Sequence, residues 1–284
     1  MAEILRGKEV AAAINERAGK LAAELAEKGV KPTLAIVRVG EKEDDISYER
    51  GAVKRCSDIG VQVISAVFSE DVTQEDFYFA LDELNSDPGI HGILMLRPLP
   101  KHLDNEKARN YIAPEKDVDG CTDGSLAGIF TNSGIGFAPC TAQAAVEVLD
   151  HYGIDPTGKN ITVLGRSLVV GKPLALMLMN RNATVTVCHT RTVGETEIAK
   201  RADILIAAIG KMEHVGKDYV SPGQTVIDVG ISSNTEKKKL CGDCLFEEVE
   251  PIVDKITPVP GGVGSVTTAV LVSHVVEAAA KSIE

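Results

Sequence analysis

Apolar positions recur at helical spacing from Glu9 to Lys28, and the pattern stops at Gly29 and Pro32. This predicts an amphipathic helix closed by a glycine and a following proline. Thr33 to Val39 is then an apolar run short enough for a buried strand. The alternation repeats, with a helix from about Ser47 to Ile59, a strand from Gln62 to Phe68, a helix from Gln74 to Asn85 and a strand from Gly92 to Leu96. Such alternation predicts α/β architecture, a parallel sheet with crossover helices. Thr141 to Tyr152 reads as a further helix and Pro156 to Lys159 as a turn. A second series follows at Ile161 to Leu164, Pro173 to Asn180, Thr184 to Cys188, Glu195 to Lys200, Ile204 to Ala208 and Thr225 to Val229. The last element, Val266 to Ile283, is apolar enough for a helix packed on a core, predicted to return to the first domain.

The chain has 284 residues, 44% hydrophobic and 25% charged, enough for two compact units. A net charge of -11 leaves no basic field for phosphate backbones, so nucleic acid is not an expected partner. No run of ~18 or more apolar residues is expected to span a bilayer. Met1 to Gly7 lacks the pattern of a signal peptide, and the expected location is the cytoplasm. The six cysteines are scattered, which favours free thiols. Cys56, Cys121, Cys140 and Cys188 read as small packing residues. Cys241 and Cys244 form a C-x-x-C behind the polar run Glu236 to Lys239. Without a second ligand pair nearby, the expectation is a loop and no metal.

Ile161 to Leu164 runs into Gly165-Arg166-Ser167-Leu168-Val169-Val170-Gly171 and then an apolar helix with Pro173 near its start. A glycine turn between strand and helix lets backbone approach a pyrophosphate at the helix N-terminus. The spacing is G-x-S-x-x-x-G rather than G-x-G-x-x-G, so an ordinary strand-to-helix turn remains open. The next strand exits into His189-Thr190-Arg191-Thr192, with no carboxylate of the kind that holds the ribose hydroxyls of NAD. Arg166 and Arg191, aided by the Thr190 hydroxyl, would instead suit a 2'-phosphate. NADP is therefore favoured over NAD, although either arginine could be a solvated surface charge. Lys116-Asp117-Val118-Asp119-Gly120 is either a turn with solvated aspartates, the commoner outcome, or a carboxylate acceptor for an amidine-like edge such as a pterin offers. Pro258 to Gly264 is a rigid, side-chain-poor loop where backbone could meet a ligand or simply turn.

Together these segments resemble the methylenetetrahydrofolate dehydrogenase/cyclohydrolase family over essentially the whole chain. The residues that carry the resemblance are Val39-Gly40 with Tyr48 eight positions later, Pro98-Leu99-Pro100, Lys116 to Gly120, Pro139-Cys140-Thr141, Gly165 to Gly171 and Thr257 to Gly264. The resemblance implies an N-terminal α/β folate domain, 1–139 plus 266–284, and a Rossmann-like NADP domain, 140–265. It implies that Tyr48 stacks near a tetrahydrofolate derivative, that Asp119 binds its pterin edge, and that Gly262 and Val263 line the folate cleft. Gly165, Arg166, Ser167, Gly171, Thr190 and Arg191 are expected to hold NADP. A homodimer through the cofactor domains is also implied.

The departures bear on the second activity. Where the bifunctional members of the family carry a catalytic Lys four residues after the Tyr, this chain has Ala52, and where they carry a Gln two residues before Pro-Leu-Pro it has Leu96. Asp45, Ala142 and Ser265 also replace usual residues. Arg50 and Lys54 point away from Tyr48 on a helix, and Arg55 returns to its face about 10 Å further along. A guanidinium is in any case a poor proton shuttle near neutral pH. The expectation is an NADP-dependent dehydrogenase with weak or absent cyclohydrolase activity. The alternatives are a fully bifunctional enzyme and a binding protein without turnover.

Overall fold

A computed structural model describes residues 1–234 and 239–283. Most of the polar run Glu236 to Lys239 lies outside the described residues. The first half of the chain forms β1 (Glu3–Ile4), α1 (Gly7–Glu27), β2 (Thr33–Val39), α2 (Glu43–Ile59), β3 (Gln62–Phe68), α3 (Gln74–Ser86), β4 (Gly92–Met95), α4 (Asn105–Arg109) and α5 (Asp123–Thr131). The second half forms α6 (Cys140–His151), β5 (Asn160–Leu164), α7 (Gly171–Asn180), β6 (Thr184–Cys188), α8 (Glu195–Lys200), β7 (Ile204–Ala207), β8 (Thr225–Asp228), β9 (Ser232–Asn234), β10 (Lys239–Cys241), α9 (Phe246–Val249), β11 (Lys255–Ile256) and α10 (Thr267–Lys281). Two compact units result: residues 13–140 with the chain from 268 onward, and residues 1–12 with 141–267.

The first unit is built on a parallel three-stranded sheet in the order β3-β2-β4. Central β2 is buried almost throughout, which explains its unbroken apolar run, whereas edge strand β3 alternates. Phe77 and Leu81 of α3 pack with Val37 and Ile93 in one core cluster. Helix α2 begins four residues before the predicted Ser47. Its first turn holds Glu43, Asp44 and Asp45, which suit the positive end of a helix but break the apolar pattern. Gly92 opens β4 where a Cβ would fall 2.7 Å from Val118 and 3.2 Å from Val275, so β4 and α10 pack too closely for any side chain there.

Residues 263–281 reach the length and mean hydropathy, 1.5, of a membrane-crossing helix, which corrects the expectation that no stretch would. In α10 the residues Ala269 to Val272, His274 to Val276, Ala278 and Ala279 are buried within the protein, so its apolarity is that of a core helix.

The second unit is a parallel six-stranded sheet in the order β1-β11-β8-β7-β5-β6. The predicted boundary gave residues 1–139 to the folate domain, and the structure corrects its beginning. Glu3 and Ile4 pair with Lys255 and Ile256, and the Leu5 amide donates to the Ile256 carbonyl at 2.9 Å. A two-residue strand is too short to leave a periodic signal. Central β5 lies between β6 and β7, so the chain switches direction across the sheet beside it. A short antiparallel pair, β9 with β10, stands apart from the main sheet.

Candidate active site

In the first unit, Tyr48, Ala52 and Arg55 fall on one face of α2, with Ala52 ~40° to one side of Tyr48 and Arg55 ~20° to the other at ~100° per residue. Ala52 is only 1% exposed. The Tyr48 residue is 43% exposed, yet its hydroxyl end is enclosed. Burial pushes the phenol well above its ordinary value, the Asp119 and Cys140 groups add to this, and the Arg55 guanidinium opposes it. Tyr48 and Asp119 are therefore brought together, with Arg55 in electrostatic reach. The Nε of Arg55 is buried without a hydrogen-bond partner among the described residues.

The segment Lys116 to Gly120 is not a solvated turn. Asp117 is fully buried and accepts from the amides of Cys121 at 3.0 Å and Thr122 at 2.7 Å, and from the Ser125 hydroxyl at 2.6 Å. Gly120, at φ +67°, has no room for a Cβ, which would lie 2.4 Å from the Ala138 carbonyl carbon. The turn presents Asp119, whose carboxyl is pushed up to about 6 by burial and then by Asp117, against the pull of Arg97 and the Cys140 thiol. Behind it, the Val118 carbonyl accepts from the Cys140 thiol at 3.2 Å and lies 2.9 Å from Nδ1 of His274. Asp119 is thus a fixed, half-buried acceptor that ionises near neutral pH.

In the second unit, β5 passes into Gly165, whose φ of +113° and contact with the Ala208 carbonyl, 2.1 Å from where a Cβ would stand, exclude side chains. A Cβ on Gly171 would lie 2.2 Å from the Gly165 carbonyl oxygen. Turn and helix start therefore close on each other, leaving a backbone cradle at the N-terminus of α7 that fits a pyrophosphate. Ser167 shapes the turn by accepting the Val170 amide at 3.1 Å, and Arg166 stands exposed beside it. Leu164 is paired with Cys188, and the Gly165 amide donates to the Cys188 carbonyl at 2.9 Å. Arg166 and the exposed Thr190 and Arg191 thus project from the same end of neighbouring strands. The second loop is tied by the His189 amide to the Thr192 hydroxyl at 2.9 Å and by the Arg191 amide to Nδ1 of His189 at 3.2 Å.

Gly262 and Val263 also lie in this unit. The Gly262 carbonyl accepts from the Ser265 hydroxyl at 2.7 Å, and Gly262 and Val263 are both buried. Cys241 and Cys244 are buried, and no group of three or more potential metal-ligating side chains occurs among the described residues.

Sequence reasoning missed two features. The loop after β7 forms the second lip of the crevice beside Gly165, and buried Asp243 holds it. Its carboxylate accepts the amides of Ile209 at 2.6 Å, Gly210 at 3.0 Å and Lys211 at 2.8 Å. Asp228, itself pushed up to about 6 by burial, accepts the amides of Asp243 at 3.0 Å and Cys244 at 2.8 Å. Arg97 was also missed, and its only signal was its place between Leu96 and Pro98.

Residues 5–119 match the catalytic domain of tetrahydrofolate dehydrogenase/cyclohydrolase, and residues 139–283 match its NAD(P)-binding domain. The bifunctional protein FolD of Carboxydothermus hydrogenoformans is 52% identical over 98% of this chain and 97% of its own, and that of Clostridioides difficile 48% over 97% and 96%. The crystal structure of the bifunctional enzyme FolD, a methylenetetrahydrofolate dehydrogenase/cyclohydrolase, from Campylobacter jejuni superposes with a TM-score of 0.95 at 35% identity, covering 99% of both chains. The Trypanosoma brucei dehydrogenase-cyclohydrolase, complexed with NADP cofactor and inhibitor, superposes at 0.91 with 32% identity, covering 100% of this chain and 99% of that one. The two family matches cover nearly the whole length, and the chain belongs to the tetrahydrofolate dehydrogenase/cyclohydrolase family.

Proposed function

We propose that this protein oxidises methylenetetrahydrofolate to methenyltetrahydrofolate with NADP and has little or no cyclohydrolase activity. The observation that carries the proposal is Ala52, a buried methyl group on the Tyr48 face of the helix, where bifunctional relatives are expected to offer a Lys. Asp119 accepts the pterin edge and Tyr48 lies along the folate, and Gly262 and Val263 are further folate-binding positions. Gly165, Ser167 and Gly171 cradle the pyrophosphate, while Arg166, Thr190 and Arg191 take the 2'-phosphate. NADP held by these residues would supply the hydride acceptor, so the protein's part in oxidation is to orient the reactants, with no titrating side chain strictly required.

Hydrolysis of the methenyl product differs, because water must be added and protons moved. Arg55 and Arg97 supply charge near Tyr48 and Asp119, but a guanidinium is a poor proton shuttle. The names of the relatives favour a second reading, a fully bifunctional enzyme in which water or another side chain replaces the Lys. Following NADPH and methenyl-folate separately during turnover decides between them. Accumulation of methenyl-folate in step with NADPH supports the first reading, and NADPH formation without it supports the second.

We also propose a homodimer formed through the cofactor domain. Strand β6 is an open sheet edge, with Val187 exposed along it. Light scattering across a dilution series tests this, and a monomer at micromolar concentration would oppose it.

A further inference from the structure

The first unit contains a cavity of about 660 Å³ that none of the residues assigned above lines. It lies at the start of β4, beside His91, whereas Leu96 and Arg97 follow the other end of that strand. Ile90, Ile135, Phe137 and Ile283 give it an apolar wall, and the volume is that of sites for small organic ligands. Ile135 and Ile283 are large, exposed side chains. Two lysines, Lys116 and Lys281, stand against one carboxylate, Glu115, in the lining; the Lys116 ammonium donates to the carbonyls of Leu84 at 3.1 Å and Asp87 at 2.6 Å, which leaves Lys281 to meet a ligand. The Lys281 ammonium stands 4.6 Å from the centroid of the Phe137 ring.

His91 makes this more than an apolar hollow. It is 8% exposed, and its Nδ1 accepts the Thr33 amide at 3.2 Å. Burial, then Lys116, holds the ring below its ordinary value, so it is neutral and its proton resides on Nε2. No protein group among the described residues accepts that proton. His91 lines the cavity, so this donor is open to an acceptor placed there. Among the apolar walls such an acceptor belongs to a ligand, and Lys281 favours a negative one.

The cavity wall also leads to Asp119. Phe137 packs on the His274 ring with centroids 4.9 Å apart, and His274 and Cys140 both meet the carbonyl of Val118, the residue before Asp119. Gly136, in the same wall, has no room for a Cβ, which would fall 2.4 Å from the Ser125 hydroxyl that donates to Asp117. We propose that this cavity is a regulatory site for a small amphipathic carboxylate, its apolar body against Ile135 and Phe137 and its carboxylate on His91 and Lys281, and that its occupancy changes folate affinity. Only the last clause rests on the reading of Asp119 as the folate acceptor.

The test uses full-length protein, with anilinonaphthalene sulfonate as fluorescent probe and decanoate and decanol as competitors. One probe per chain is expected to bind, and decanoate should displace it at a concentration at least tenfold below that of decanol. His91→Asn keeps an acceptor for Thr33 but removes the Nε2 donor, and Lys281→Glu reverses a surface charge. Each should weaken decanoate at least fivefold while NADP affinity and circular dichroism stay unchanged. Saturating decanoate should shift the folate KM at least threefold and leave the NADP KM alone. Equal displacement by decanol, or unchanged decanoate affinity in Lys281→Glu, overturns the anion site. An unmoved folate KM overturns the regulatory role. If Asp119→Ala retained folate binding, the folate reading would fail while the displacement results stood.

Discussion

The buried carboxylate of Asp243 accepts the amide of Ile209 at 2.6 Å, although 34 residues separate them. With the amides of Gly210 and Lys211, it fixes the backbone opposite the Gly165 turn. The loop is thereby preorganised at the switch point of the sheet, where a dinucleotide binds.

Asp243→Ala leaves three amides without their acceptor, at a cost of about 2 kcal/mol or more. NADP affinity is expected to fall at least tenfold while folate affinity in the absence of NADP is unchanged. Fluorescence titration with NADPH and calorimetry with folate measure both. Asp243→Glu, which keeps the charge, should restore part of the NADP affinity, whereas general destabilisation would weaken both ligands alike.

Arg166→Ala should reduce kcat/KM with NADP about 30-fold, equivalent to about 2 kcal/mol for a charge-assisted contact. With NAD the change should stay within about threefold, since NAD lacks the 2'-phosphate. Steady-state rates with each cofactor check this. A wild-type preference for NAD would contradict it.

Asp119 has a pH signature. Only the ionised carboxylate accepts two donors from the pterin, and its pKa of about 6 places the transition near neutrality. Folate affinity, read by calorimetry, should be about tenfold weaker at pH 5 than at pH 8. The stability effect runs the other way. A carboxyl raised above its unfolded value stabilises the fold when protonated, fully so below its ordinary 3.8, and that contribution is lost as pH rises through about 6. Asp119→Asn should therefore lose folate binding yet stabilise the unliganded protein at pH 8 by about 2 kcal/mol, seen as a raised Tm.

Much of this was legible in the sequence because the elements that carry the fold are long and periodic. Strands β2, β3 and β6 were read with both ends correct, since each is bounded by turn residues and filled with apolar or β-branched side chains. Strand β1 was invisible, for its two residues acquire meaning only through Lys255 and Ile256 at the far end of the chain. The glycine cradle could be read because a strand, two glycines and an apolar helix are neighbours in sequence. Asp243 could not, because its partners lie on another loop. Asp117 was read together with Asp119 as one acidic turn, and only the structure shows that Asp117 is fully buried and ties the turn through its own hydrogen bonds.

Ala52→Lys alone would leave half-buried Leu96 where bifunctional relatives are expected to carry a Gln that orients the ammonium. Adding Leu96→Gln supplies both an acceptor and donors. The double variant is expected to hydrolyse methenyl-folate at least tenfold faster than Ala52→Lys, a non-additive gain that shows the two positions acting as one unit.

The most direct measurement is the decay of methenyl-folate absorbance with the unaltered protein and no NADP, compared with decay in buffer. With Ala52 and Leu96 in place, the two rates should agree within about twofold. Hydrolysis by the protein a hundredfold above the buffer rate would contradict the loss of cyclohydrolase activity and make the enzyme bifunctional.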